Sequence, residues 1–195
     1  MRMTATGFSS RISPPRLLGI VGLVAVSALG GCGSETPGTN TAASAEKASG
    51  GGDGKGIKQG DKAPQFAIDS MNGTGKMTIA PGKVTIVDFW ATWCEPCKKS
   101  FPKLQELYVK YKTNGLEIVA VSVDDEKGGI TDFAKTHGAK FPVGWDDGKK
   151  LAEKWKPETM PSSYIIGKDG VVKHVHRGYH EGEENEVEKE LKALF

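Results

Sequence analysis

The apolar run Val84-Thr85-Ile86-Val87-Asp88-Phe89-Trp90 limits the fold of this chain more than any other stretch. β-branched and aromatic residues without polar alternation read as a strand buried on both faces. Just beyond it stand Cys94-Glu95-Pro96-Cys97, and then Phe101, Leu104, Leu107, Tyr108 and Tyr111 recur at helical spacing. This pattern predicts a helix from about Cys94 to Lys112 with one buried face. Pro102 has no N–H to offer residue 98 and is expected to kink it. Lys110 and Lys112 suit the negative end of the helix dipole, and Asn114-Gly115 closes the helix. A strand that passes into a helix at Cys-x-x-Cys puts the first sulfur at the helix N-terminus. Free backbone N–H groups and the positive dipole end favour thiolate there. That chemistry is thiol–disulfide exchange.

The rest of the pattern builds a sheet around this strand. Gly60 to Phe66 opens the domain, and Asn72-Gly73 signals a short hairpin. Leu116–Val123 is strongly β-prone and ends at Asp124-Asp125. A helix (about Gly129–Thr136), a strand (Phe141–Trp145) and a helix (about Lys149–Trp155) follow. Strands Ser163–Ile166 and Val171–His176 flank the turn Lys168-Asp169-Gly170. A final helix from about Gly182 brings Val187, Leu191 and Leu194 together. The fold class is α/β, a central mixed β-sheet flanked by helices on both faces with an N-terminal β extension, over residues 59–195.

Residues 1–31 have a different character. Arg2, Arg11 and Arg16 precede the apolar stretch Leu17–Leu29, and Gly30-Gly31 lead to Cys32. This is the layout of an export signal, with an apolar run short for a membrane span of about 20 residues. Leu29-Gly30-Gly31-Cys32 resembles the bacterial lipobox, whose cysteine is lipidated and becomes the mature N-terminus. The alternatives are an uncleaved signal anchor and an ordinary soluble secretory signal. Residues 32–58, rich in Gly, Ser, Thr, Ala and Lys, have no large apolar residue before Ile57 and read as a flexible tether. Without the three leader arginines, the 26 basic residues fall to 23 against 24 acidic, a net charge of about −1. A nucleic-acid role thereby loses its compositional support. With Cys32 assigned to lipid, only Cys94 and Cys97 remain of the three cysteines.

Val87 to Cys97, with Lys98, Lys99 and Phe101-Pro102, resembles the active-site segment of the thioredoxin superfamily and its exported TlpA/ResA-like branch. The likeness continues through Val121-Ser122-Val123-Asp124 and Phe141-Pro142-Val143 to Met160-Pro161. It implies a thioredoxin-like fold and a disulfide oxidoreductase without a cofactor. Cys94 is the expected nucleophile, attacking a substrate disulfide through a mixed disulfide, and Cys97 the resolving thiol. A static structural disulfide is the competing reading, although so short a loop constrains the unfolded chain little. The resemblance assigns Asp88 to proton transfer for Cys97. An acid within an apolar strand should have a raised pKa, and Leu116–Val123 holds no lysine to neutralise it. An edge position paired with a distant lysine is the alternative. Met160-Pro161 matches the superfamily's cis-proline, whose loop faces the disulfide and pairs with extended substrate. Ser162 and Ser163 replace the common threonine and leave side-chain contacts there open. Trp93, Glu95, Pro96, Met160 and Pro161 are the expected substrate-facing residues.

Two residues depart from the branch pattern. Ser100 stands where many members carry glutamate, and Asp88 stands where many carry a neutral residue. The acid is therefore read as relocated. Glu95 opposes ionisation of Cys94 and argues against a very strong oxidant. Trp90 and Trp93 are read either as a shield and docking surface for the dithiol or as ordinary packing. The resemblance implies reduction of disulfides in exported proteins, with apocytochrome c maturation as the leading pathway. It further implies re-reduction by a membrane thiol transporter of the DsbD/CcdA type. The domain would face the periplasm or extracytoplasmic space from its lipid anchor. A copper-delivery protein is the runner-up, but its relatives use Cys-x-x-x-Cys and a remote histidine. His174 and His176, on one strand face, read more readily as a solvated pair, and no metal site is expected. A peroxidase site wants a proline where this chain has Val87.

Overall fold

A computed structural model describes residues 55–73 and 75–195. The signal segment, Cys32 and the tether up to residue 54 lie outside the described residues. In chain order the elements are β1 (Ile68–Asp69), β2 (Lys76–Met77), β3 (Val84–Trp90), α1 (Glu95–Tyr111), β4 (Leu116–Ser122) and α2 (Ile130–Thr136). They continue with β5 (Val143–Trp145), α3 (Lys150–Trp155), β6 (Ser162–Ile166), β7 (Val172–Arg177) and α4 (Glu183–Lys192). No helix among the described residues is long and apolar enough to cross a membrane.

The main sheet has the order β5-β4-β3-β6-β7. β3 pairs in parallel with β4 and antiparallel with β6, so it is the middle strand of a mixed sheet. All of its residues are buried, as a strand covered on both faces requires. The parallel β3–β4 pair needs a long crossover, and α1 supplies it. β1 and β2 form a separate antiparallel pair, tied down by Asn72. The Asn72 amide donates to the Phe141 carbonyl at 2.9 Å and accepts from the Val143 N–H at 3.0 Å. This hairpin crosses β5 so closely that a Cβ on Gly144 would lie 2.9 Å from the Asp69 carbonyl oxygen. Only glycine fits there.

Aromatic rings fill both faces. On the α1 side, Phe101 packs on Trp90, Phe133 and Phe141 with ring centroids 4.5, 5.1 and 5.5 Å away. On the other, Trp155 of α3 meets Phe66, Phe89 and Tyr164. α4 lies beside α1, burying Val187 and Leu191. Glu188 of α4 is held by Lys110, Lys192 and the Tyr111 hydroxyl at 2.6–2.7 Å. Those bonds hold its carboxyl down at about 2.

α1 runs unbroken from Glu95 to Tyr111 with Pro102 inside it. The buried faces before and after Pro102 (Cys97, Phe101, Leu104, Leu107 and Tyr111) hold it in register despite the missing N–H. The strand expected from Phe141 begins only at Val143, because Pro142 has no N–H to donate to a ladder.

Phe101→Ala should lower the unfolding free energy by about 3–5 kcal/mol, since it empties a site enclosed by three rings. Urea denaturation checks this, and a loss below about 1 kcal/mol would mean that the cluster re-closes around the gap.

Candidate active site

β3 ends at Trp90, and the turn Ala91-Thr92-Trp93 delivers Cys94 to the N-cap of α1. Cys94 has extended dihedrals (φ −81°, ψ 105°), and its Sγ accepts the Cys97 N–H at 3.2 Å. The sulfur thus takes one of the N–H groups that a helix start leaves without a partner. Pro96, in the first turn, has no N–H to leave unsatisfied. Cys94 and Cys97 are joined in a disulfide, with Cα atoms 5.3 Å apart. Cys97 is sealed from solvent, whereas Cys94 retains 4% exposure.

The two tryptophans divide between the readings offered for them. Trp90 is fully buried against Phe101 and Phe133, while Trp93 is 66% exposed beside the dithiol. Glu95 is also exposed, but it forms an ion pair with Lys98 one helical turn on. Its charge next to Cys94 is therefore partly countered.

The Met160–Pro161 peptide bond is cis. Ser162 of β6 lies opposite Phe89, which places Pro161 at the level of Trp90, the end of β3 that leads to the cysteines. The Pro161 carbonyl accepts the Gly178 N–H at 2.8 Å, fixing this loop to the end of β7. Met160 is half-buried beside it.

Asp88 is fully buried on the face of β3 that α1 and α4 cover. The Ser163 hydroxyl donates to its Oδ1 at 2.5 Å, and its Oδ2 has no partner. β3 is the middle strand and, among the described residues, no ion pair to a lysine or arginine reaches Asp88, so the edge-strand alternative is set aside. Burial in this apolar layer pushes its pKa up to about 7, against the Ser163 hydrogen bond, which favours the anion, and with help from the charge of Glu183.

Several site residues were not singled out from sequence. Asp124, just past β4, accepts the Thr92 N–H at 3.0 Å, the Thr92 hydroxyl at 2.7 Å and the Ser122 hydroxyl at 2.6 Å. It clamps the turn that carries Cys94. Its position at the C-terminal end of the strand next to β3 was the available signal. His176 was expected on a solvated face and is instead largely buried between Glu183 and Glu190 of α4. The cause is α4, which covers that face of β7. Among the described residues, no group of three or more His, Cys, Asp or Glu side chains is placed to hold a metal ion.

Comparison with known proteins agrees with this geometry. The model of the AhpC/TSA family matches residues 59–175. The chain belongs to the AhpC/TSA family. Within that family it is 36% identical over 123 residues to the thiol-disulfide oxidoreductase ResA of Bacillus subtilis (strain 168), covering 63% of this chain and 69% of that protein. It is 32% identical over 139 residues to ResA of Geobacillus kaustophilus, covering 71% and 79%. Among solved structures, a protein from Chlorobium tepidum described as a thiol:disulfide interchange protein DsbE superposes with a TM-score of 0.66 at 32% identity. That match covers 71% of this chain and 98% of the other. StoA of Bacillus subtilis, at 23% identity and a TM-score of 0.57, shares the fold. This AhpC/TSA-family chain therefore has the thioredoxin-like fold and is a thiol–disulfide oxidoreductase acting on disulfide-bearing proteins.

The raised pKa of Asp88 has a definite sign for stability. The folded protein keeps Asp88 protonated up to about pH 7, whereas the unfolded chain ionises it near its ordinary 3.8. Between these values the unfolded chain binds fewer protons, so stability falls as pH rises, by on the order of 4 kcal/mol in all. Asp88→Asn cannot ionise. Its stability relative to the parent should grow from pH 4 to 7 and level off above, read from denaturant midpoints of the oxidised protein. A pH-independent difference would show that Asp88 ionises as freely as in the unfolded chain.

Proposed function

We propose that this oxidoreductase is exported, tethered to a membrane through lipid on Cys32, and reduces disulfides in exported proteins. The observation that carries the reading is the pairing of a slightly exposed N-cap Cys94 with a sealed Cys97, at the end of the strand that buries Asp88.

In the reduced protein, the Cys94 thiolate attacks one sulfur of the substrate disulfide. A Cys94–substrate bond forms, the substrate S–S bond breaks, and the first substrate thiolate leaves. The Cys97 thiol gives its proton to Asp88, and the resulting thiolate attacks the Cys94 sulfur. The second substrate thiolate is released, and the protein is left with the Cys94–Cys97 disulfide. Two electrons have moved from the dithiol to the substrate. Asp88 suits the step because its proton affinity lies near neutrality, where a general base works best.

Trp93, Glu95, Pro96, Met160 and Pro161 form the substrate-facing rim in this reading. Exposed Trp93 supplies an apolar contact, and the Pro161 loop offers extended backbone at the same end of the sheet. The return to the dithiol draws two electrons from a membrane thiol transporter of the DsbD/CcdA type. Apocytochrome c, whose thiols must be reduced, is the substrate that the family likeness favours. The leader, the lipobox-like Cys32 and the tether without a core-forming apolar run support display of the domain outside the cytoplasm.

Cys97→Ser removes the resolving sulfur and should accumulate mixed disulfides between Cys94 and exported proteins. Non-reducing electrophoresis would show them, and further replacement of Cys94 should abolish them. Failure to trap any partner, where a related oxidoreductase traps several, overturns the reductase reading. Cys32→Ser should move the protein from the membrane to the soluble fraction of the same cells; unchanged membrane retention would count against the lipid anchor.

A further inference from the structure

α1, the β6–β7 pair and the start of α4 line a small pocket of about 30 Å³. Its walls include Ser100, Leu104, Pro161, Ser163, His176 and Glu183. This is room for a single water, with enough polar wall to hold one. Two walls belong to the reacting groups. The Ser163 hydroxyl donates to Asp88, and the Ser100 hydroxyl donates to the Cys97 carbonyl at 3.2 Å.

The third polar wall is Glu183, and its burial calls for a reason. It opens α4, where the helix dipole welcomes an acid, but Glu184 and Glu186 already serve that purpose nearer solvent. Glu183 is instead 7% exposed and turned inward. His176 holds it there, with Nδ1 3.2 Å from Glu183 Oε1 and Nε2 2.7 Å from Glu190 Oε2. His174 Nδ1 lies 2.9 Å from the other Glu190 oxygen, so the series ends at the outer part of β7. From α1, Lys103 also reaches the cavity, and its ammonium lies 4.0 Å from Glu184 and 3.4 Å from Glu106. Tyr179 points its hydroxyl to Glu184 at 3.4 Å. Asp88 Oδ2 remains without a partner.

We propose that Glu183 is a positioning residue for the exchange reaction: clamped by His176, its carboxylate lines the same cavity as Ser163, the hydroxyl that holds Asp88, and governs when Asp88 holds a proton. The inference rests on the reading of Asp88 as the base for Cys97. Two buried carboxylates within reach of each other's charge resist ionising together. The Glu183 charge thus keeps the Asp88 proton in place up to higher pH and sets the pH at which Asp88 becomes free to accept one from Cys97. Ser163 acts in the opposite sense, because its hydroxyl bond stabilises the Asp88 anion. The working pH of the dithiol is set by this opposition.

Carboxyl ¹³C NMR titration of Asp88 in the oxidised protein, with the pH–rate profile of disulfide reduction by the reduced protein, tests the inference. Glu183→Gln should move the Asp88 midpoint and the Asp88-dependent limb of the rate profile to lower pH, a change of threefold or more in proton affinity. Glu183→Ser, a second variant suited to a helix start, should move them the same way. Ser163→Ala should move both to higher pH. A merely structural loosening would let water reach Asp88 and lower the midpoint in all three variants, which would overturn the proposal. So would an unmoved midpoint in the Glu183 variants. Asp88→Asn should remove the limb. If the limb survives in Asp88→Asn, the base reading fails, while the NMR midpoint still decides whether Glu183 controls the Asp88 proton. If the limb disappears in Asp88→Asn but does not move in Glu183→Gln, the base reading stands and the Glu183 inference falls.

Discussion

β3 is paired along both edges and covered on both faces, and the site inherits its geometry from that burial. A strand so enclosed has no freedom to shift, since slipping by one residue would exchange the α1-facing and α3-facing side chains throughout the core. Trp90, Asp88 and Ile86 must then point to α1, and Val87 and Phe89 away from it. The end of the strand is fixed relative to β4 and β6 as well. Asp124 on one side and the Pro161 loop on the other are therefore brought to the level where Cys94 begins its helix.

The same burial creates the tension at the heart of the chemistry. Asp88 lies in a buried layer where, among the described residues, no ion pair to a lysine or arginine compensates it, and its one strong bond comes from a neutral hydroxyl. In such a place an acid stays protonated until near neutrality. A protonated carboxyl costs less in an apolar layer than an ion does, yet it remains able to exchange its proton. At the helix start the situation is reversed: Cys94 meets aligned N–H groups, with the Glu95 charge drawn off toward Lys98. The N-cap sulfur is thus set in a place that favours charge, and Asp88 in a place that resists it.

Much of this was legible in the sequence because it is local or periodic. An apolar strand, a Cys-x-x-Cys at its end and a helical stripe from Phe101 to Tyr111 follow from neighbours along the chain, and with Leu116–Val123 they define the centre of the sheet. The missing lysine opposite Asp88 could be read in the same way. The site's other contacts join residues that no periodicity connects. Thr92 and Asp124 are brought together by the β3–β4 register. His176 looked solvent-facing because strand alternation says nothing of which helix will cover that side. Pro102 carries a real local penalty, yet α1 continues through it because the packed face around it outweighs one lost hydrogen bond.

The position of the acid follows from the space available to it. At position 100, on α1, the side chain lines the pocket between α1, β6–β7 and α4, and this chain places only a small hydroxyl there. A longer side chain from α1 would fill the volume that Glu183 and His176 reach from α4 and β7. The small Ser100, the inward Glu183 and the ionisable Asp88 are then one solution rather than three coincidences. The attachment of Glu183 to an imidazole linked to a second carboxylate ties the proton chemistry to the β7–α4 contact rather than to α1. α1 is thereby left to do what its N-terminus does best, which is to hold a thiolate at Cys94.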